Sequence, residues 1–137
     1  YIPILANEIK NKELRGDFMK QTDDYNFLNA SGSQIKELIR RICVRGLEKG
    51  LNEENVQVLV PMYRGENGID NLNSILRDIY NPSDIGKSEL KSGEVIYRVG
   101  DKVLQLTNDP DNNIYNGDCV VQLKLKNYFN NINYIIM

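Results

Sequence analysis

The chain has no histidine and no tryptophan, and only two cysteines and four prolines among 137 residues. Without histidine there is no His-based catalytic triad, no His-dependent zinc site, and no use of the commonest general base. Cys43 and Cys119 lie far apart in sequence. They are expected to be small buried hydrophobes rather than a disulfide or a reactive thiol, which suits a reducing cytoplasm. No Cys/His metal spacing is present, so no metal site is expected. No apolar run approaches the roughly 20 residues of a membrane-spanning helix, and no membrane partner is expected. Residues 1–14 have neither the basic start nor the apolar centre of a signal peptide. Asn29-Ala30-Ser31 fits a glycosylation sequon, but without a secretion signal it reads as chance. Charge of one sign is lacking too: 17 Lys and Arg face 19 Asp and Glu, for a net charge of −2. That is not the footprint of a strong autonomous nucleic-acid binder, although it leaves room for a local groove.

What is present is the composition of a soluble globular protein, 41% hydrophobic and 26% charged. The length suffices for one domain or for pieces of two. Both ends, Tyr1 and the apolar run NINYIIM, read as cuts from a longer polypeptide.

Ile2, Leu5 and Ile9 share one helical face, with Pro3 tolerated near a helix start. Asp17–Lys20 and Tyr25–Leu28 read as two short strands around the turn residues Thr22-Asp23-Asp24. Gln34–Lys49 reads as a helix whose apolar stripe holds Ile35, Leu38, Ile39 and Ile42, with Gly50 as its C-cap. Its basic residues Lys36, Arg40, Arg41, Arg45 and Lys49 read either as a solvated face or as a track for a phosphate backbone. Val56–Val60 is a continuous β-branched-rich run of the kind found in central strands of parallel sheets. Ile69–Tyr80 is the next helix, stopped by Asn81-Pro82. Helix, strand and helix at these spacings predict an α/β unit. Ser83–Glu94 reads as polar loop. Short β-type runs follow at Val95–Val99, Val103–Thr107, Val120–Leu125 and Tyr134–Ile136, separated by turns that include Asn116-Gly117.

Three stretches are able to carry chemistry. Pro61-Met62-Tyr63-Arg64-Gly65-Glu66-Asn67-Gly68 leaves the end of a predicted strand and enters a helix N-terminus, where free N–H groups favour anions. Arg64 suits a bidentate phosphate contact, and Gly65 and Gly68 allow close backbone approach. The plain alternative is a strand-to-helix loop with turn glycines. Arg98–Asp109 alternates a buried face with a polar one, and Lys102, Gln105, Thr107 and Asn108 suit a sugar-phosphate chain; an ordinary solvated strand is the alternative. Tyr115-Asn116-Gly117-Asp118 is a tight turn. No P-loop occurs and no carboxylate pair is singled out, so the chain itself shows no catalytic residues.

Taken in order, VQVLVPMYRGENGIDNLNSILRDIYNP and YRVGDKVLQLTNDPDNNIYNGD closely resemble the RecD-like branch of superfamily-one DNA helicases. The resemblance rests on Val58-Leu59, Pro61-Met62, Gly65, Gly68, Leu72-Asn73 and Asn81-Pro82. It continues through Arg98, Gly100-Asp101-Lys102-Val103, Gln105, Asn108-Asp109 and Asn116-Gly117-Asp118. It covers roughly residues 1–118. After Asp118 the family's further glycine is missing, and residues 119–137 match no motif.

The resemblance implies an ATP-dependent helicase of the exodeoxyribonuclease V alpha type, moving 5′ to 3′ on single-stranded DNA in the bacterial cytoplasm. Residues 1–94 are then expected to be part of the second RecA-like motor domain, of P-loop NTPase type with a parallel sheet. Residues 95–137 are expected to be strands leading into a small β-barrel-like insertion. ATP and Mg²⁺ belong to the parent protein, with none expected on this piece, which on its own is expected to be inactive. The expected partners are single-stranded DNA, the first motor domain of the same polypeptide and other exonuclease V subunits. Arg64, Gly65, Lys102, Gln105, Asn108 and Asn116 are the candidate nucleic-acid contacts. Pro61, Met62, Gly68, Asn73, Gly100, Asp101, Gly117 and Asp118 are motif residues with a structural role. The competing readings are a non-enzymatic α/β module that binds nucleic acid or protein, and a small-molecule enzyme with a phosphate site at Gly65–Gly68.

Overall fold

A computed structural model describes residues 1–92, 95–121 and 132–135. The chain forms two compact units, residues 1–31 and 32–137.

In the first unit, α1 (Ile2–Asn11) has its proline in the first turn and ends at Lys12 in a left-handed conformation. Asp24 caps its start: Oδ2 accepts from the Ile2 N–H at 3.1 Å and from the Tyr1 nitrogen at 2.7 Å. These bonds, led by the one from the Tyr1 nitrogen, hold the Asp24 carboxyl well below the usual carboxylate range. Leu5 is buried, but Ile2 and Ile9 of the predicted stripe are exposed. The two predicted strands are absent. Residues 17–28 are turns and irregular chain with one isolated bridge, Thr22 to Tyr25. Ring contacts between Phe18 and Phe27 and between Tyr1 and Tyr25 hold them instead.

In the second unit, α2 (Gly32–Glu48) lies against α3 (Ile69–Tyr80). Cys43 and Leu76 form the seam, and Ile39, Val56, Val58, Ile79 and Tyr80 complete it. Ile42, expected in the stripe, is exposed. Gly50 closes the helix end at φ +85°. Cys43 is buried as expected, whereas Cys119 is exposed.

Five short strands follow or flank this layer: β1 (Glu89–Ser92), β2 (Val95–Arg98), β3 (Lys102–Gln105), β4 (Cys119–Val121) and β5 (Ile132–Ile135). β1 and β2 form an antiparallel ribbon with Leu90 opposite Tyr97. β4, β3 and β5 form a second antiparallel sheet in that order, with β3 central. Val103 faces Val120 on one side and Ile135 on the other. β1 falls in the stretch predicted as loop, because its sequence, Glu-Leu-Lys-Ser, lacks a hydrophobic alternation. Of the predicted strands Val120–Leu125 and Tyr134–Ile136, residues 122–125 and 136 lie outside the described residues.

The parallel-sheet RecA-like fold is therefore overturned. Every ladder among the described residues is antiparallel. The run from Val56 to Val60 joins no ladder. Val56 and Val58 are half-buried on the α2–α3 core while Gln57 and Leu59 are exposed. A short apolar run shows burial and does not show a sheet partner, and this run is buried by helices on one side only.

Candidate nucleic-acid interface

The loop Pro61–Gly68 is tied down along its length. The Ile69 N–H donates to the Met62 carbonyl at 2.9 Å, Asp70 N–H to the Tyr63 carbonyl at 3.3 Å, and Gly68 N–H to the Gly65 carbonyl at 3.1 Å. Asn71 Nδ2 donates to the Glu66 carbonyl and Asn67 Nδ2 to the Gly32 carbonyl, each at 2.6 Å. Lys36 Nζ pairs with Glu66 at 2.7 Å. Gly65 sits at φ +93°, a conformation natural to glycine. Gly68 is required for a different reason: a Cβ there would lie 2.6 Å from the Tyr63 carbonyl oxygen and from Arg64 C and O. The Ile69 and Asp70 N–H groups of α3 are thus used within the loop, and Glu66 and Asp70 put negative charge beside them. This arrangement suits the plain strand-to-helix loop better than an anion cradle of backbone N–H groups. Arg64 is exposed and has no hydrogen bond or ion pair among the described residues. Pro61, Met62 and Tyr63 are exposed as well.

The end of α3 and the turn between β2 and β3 meet in a buried polar knot. Asp101, 2% exposed, accepts from Asn81 Nδ2 at 2.8 Å through Oδ1 and from the Arg98 N–H at 2.7 Å through Oδ2. Arg77 Nε lies 3.6 Å from Asp101 Oδ1. Arg98 donates to the Asn81 carbonyl at 2.6 Å and pairs with Glu89 at 2.7 Å. Asn81 Nδ2 also donates to the Val99 carbonyl, and Lys87 Nζ donates to Asn81 Oδ1 at 2.6 Å. Gly100, at φ +94°, leaves room for the Asn81 side chain: a Cβ would come 3.1 Å from Asn81 Oδ1. Asn81 is thus joined across the sequence to Arg98 and Asp101 in one hydrogen-bonded cluster, with Gly100 making room for it.

A second cluster joins Gln105 to the Asn116-Gly117-Asp118 turn. Gln105 N–H donates to the Asp118 carbonyl and Gly117 N–H to the Gln105 carbonyl, both at 2.9 Å. Asp118 Oδ2 accepts from the Tyr115 N–H at 2.8 Å, and Asn108 Oδ1 accepts from the Asn116 N–H at 2.9 Å. Gly117 takes φ +96°. Gln105 is buried, with Nε2 on the Thr107 carbonyl at 2.8 Å, while Asn108 and Asn116 stay exposed.

Lys102 is placed apart from both clusters. It is buried, and its Nζ donates to the Glu53 carbonyl at 2.8 Å, with the Val56 carbonyl and Gln57 Oε1 at 3.3 and 3.4 Å. Its amine is held on protein oxygens, so as placed it braces the chain before Val56 and offers no phosphate contact. Asn73 is half-buried and lines an apolar cleft of about 280 Å³ with Val58, Val60, Leu72, Leu76 and Leu104. Beside the seam, the Tyr80 hydroxyl donates to the Cys43 carbonyl at 3.5 Å. Burial first, and then the contact with Cys43, push the Tyr80 phenol up to about 12.

Gln105, Asn108 and Asn116, expected from the sequence as candidate contacts, fall on or beside one turn, whereas Arg77, Lys87 and Glu89 were not singled out. Nothing in their spacing marks them. Asn81 and Arg98 carried a signal, since both belong to the quoted pattern.

Comparison with known proteins bears on this geometry. Residues 72–128 match the family described as the ATP-dependent RecD-like DNA helicase SH3 domain. That span takes in most of α3, both motif clusters and the antiparallel strands β1–β4, and it straddles the boundary expected at residues 94 and 95. A small SH3-like β domain agrees with antiparallel ladders. It does not agree with a parallel motor sheet. The chain is also 44% identical over 85 residues to the ATP-dependent RecD2 DNA helicase of Deinococcus radiodurans. The aligned stretch covers 62% of this chain and 11% of that protein, so the chain spans only a small part of its relative. Both findings support a relationship to RecD-like helicases. No helix among the described residues is long and apolar enough to cross a membrane.

Proposed function

We propose that this chain is a piece of an ATP-dependent DNA helicase of the RecD-like kind that moves 5′ to 3′ on single-stranded DNA and acts in unwinding, recombination and repair in the bacterial cytoplasm. The observation that carries this reading is the 44% identity to a RecD2 DNA helicase. Within the piece, Arg64 is the phosphate contact: it is an exposed cation with no ion pair among the described residues, on a loop held by hydrogen bonds at both ends. Asn108 and Asn116 offer exposed polar groups on a second fixed turn. Lys102, Gln105, Gly100 and Asp101 brace the backbone that presents them. A first motor domain of the same polypeptide and other exonuclease V subunits are the further partners of this reading.

ATP and Mg²⁺ do not fit the residues described. The Ile69 and Asp70 N–H groups at the start of α3 are bonded to loop carbonyls, and two acidic residues, Glu66 and Asp70, lie beside them. No group of three or more acidic or Cys side chains that could hold a metal gathers among the described residues. No step of ATP hydrolysis is assigned to this chain.

The test uses the full-length protein with duplexes carrying either a 5′ or a 3′ single-stranded tail. ATP-dependent unwinding of the 5′-tailed substrate alone is expected. No DNA-stimulated ATPase, or preference for the 3′ tail, sinks the reading. Arg64→Ala is expected to weaken binding across sequences and to reduce the salt slope by about 1. An unchanged slope refutes the Arg64 contact alone.

A further inference from the structure

The loop between Val60 and α3 exposes side chains that a soluble surface normally keeps covered. Leu59 is 87% exposed, Met62 51% and Tyr63 65%. Their backbone is fixed: the Met62 and Tyr63 carbonyls accept the first N–H groups of α3, and Gly68 fits under the Tyr63 and Arg64 backbone with no room for a methyl group. An aromatic side chain on a fixed backbone gives up little conformational freedom when something binds its face.

We propose that Tyr63 is a stacking platform for one unpaired base of a single-stranded nucleic acid, with Met62 extending its apolar surface and Arg64 meeting the adjoining phosphate. The inference rests on the DNA reading above and adds a base contact that this reading does not contain. Three observations favour a base over a free anion or a protein partner. The first two N–H groups of α3, those of Ile69 and Asp70, are taken by loop carbonyls, which removes them from any backbone cradle for an isolated phosphate. The Glu66 charge is paired with Lys36, and Arg64 at the loop tip has no ion pair among the described residues. The exposed surface at the tip then combines one aromatic ring, one thioether and one cation side by side in sequence, which complements a π-face attached to a phosphate. Stacking is tolerant of sequence because every base has such a face, and this suits an enzyme that must travel along any strand.

The experiment measures equilibrium binding of the full-length protein to a labelled oligothymidine and to an abasic oligomer of equal length, at one salt concentration. Wild type, Tyr63→Phe and Tyr63→Ala are compared. Tyr63→Ala is expected to lose roughly five- to a hundredfold in affinity for the oligothymidine. Tyr63→Phe, which keeps the ring, is expected to bind like wild type. On the abasic oligomer all three should bind alike. Equal binding of oligothymidine by Tyr63→Ala and wild type overturns the base contact while leaving the DNA reading intact. A Tyr63→Ala loss that is the same on the abasic oligomer also overturns it, because the loss is then structural. Wild type that binds neither oligomer overturns the DNA reading itself.

Discussion

Replacing Asp101 with alanine tests whether the polar knot holds the α3 end to the β2–β3 turn. The carboxylate is nearly inaccessible and serves two donors, Asn81 Nδ2 at 2.8 Å and the Arg98 N–H at 2.7 Å, beside the Arg77 guanidinium at 3.6 Å. Truncation leaves two buried donors unpaired, each at about 1–3 kcal/mol. It also strips Arg77 of its carboxylate; breaking a buried ion pair by removing one partner costs about 3–5 kcal/mol. These overlap, so we expect a total loss of about 3–5 kcal/mol, against a typical domain stability of about 5–15 kcal/mol. Urea denaturation followed by circular dichroism measures it. With a slope of about 1–3 kcal/mol per molar, the midpoint should fall by about 1 M or more. Asp101→Asn keeps the shape but turns an amide donor toward one of the existing donors, so its loss should be intermediate. Asn108→Ala is the internal control. Its one bond, to the Asn116 N–H, lies in an exposed turn where water replaces it, and the loss should stay under about 1 kcal/mol. If Asp101→Ala costs no more than Asn108→Ala, the knot does not hold the junction and the structural role given to Asp101 is wrong.

Gly68→Ala is expected to cost about 1–3 kcal/mol, because its methyl group meets backbone at 2.6 Å and the loop must shift; a calorimetric melt unchanged from wild type would contradict the fit described for the loop. The Tyr80 phenol, raised to about 12 from its ordinary value near 10, should ionise well above the ordinary tyrosine range in an ultraviolet titration, a late step that Tyr80→Phe removes. Because the folded state holds that proton more tightly, its contribution to stability is intact below about pH 10 and is lost as pH rises toward 12; Tyr80→Phe should remove that part of the alkaline loss.

Helices were legible in the sequence, and sheet partners were not. The periodicity of Ile69–Tyr80 survives in α3 because one stripe, Leu72 and Leu76, meets the core. Val56–Val60 gave the right burial and the wrong architecture, since a run of apolar residues reports cover and says nothing of which element supplies it. β1 escaped notice for the converse reason: Glu89-Leu90-Lys91-Ser92 is a strand through its ladder to β2 and not through burial of one face. At the site, the pattern located the loop, the turn and the Gly-Asp dipeptide. It did not say which polar residues face inward. Lys102 and Gln105 look like surface groups on an alternating strand, yet both are buried, one on each face of β3, the central strand of its sheet.

The motif residues therefore divide by what they bond. Asn81, Arg98 and Asp101 satisfy one another beside Gly100, as do Gln105, Gly117 and Asp118, through bonds that bridge turns separated by as many as twenty positions. A short polar motif that folds onto another short polar motif behaves as a hydrogen-bonded clasp. A small β unit with few buried apolar side chains needs such clasps, because its own core contributes little. The proposed DNA contacts fall on the exposed remainder: Tyr63 and Arg64 on one fixed loop, Asn108 and Asn116 on one fixed turn. A clasp residue changes stability when it is replaced, and an exposed one changes binding. The Asp101 and Tyr63 variants separate the two roles in one polypeptide.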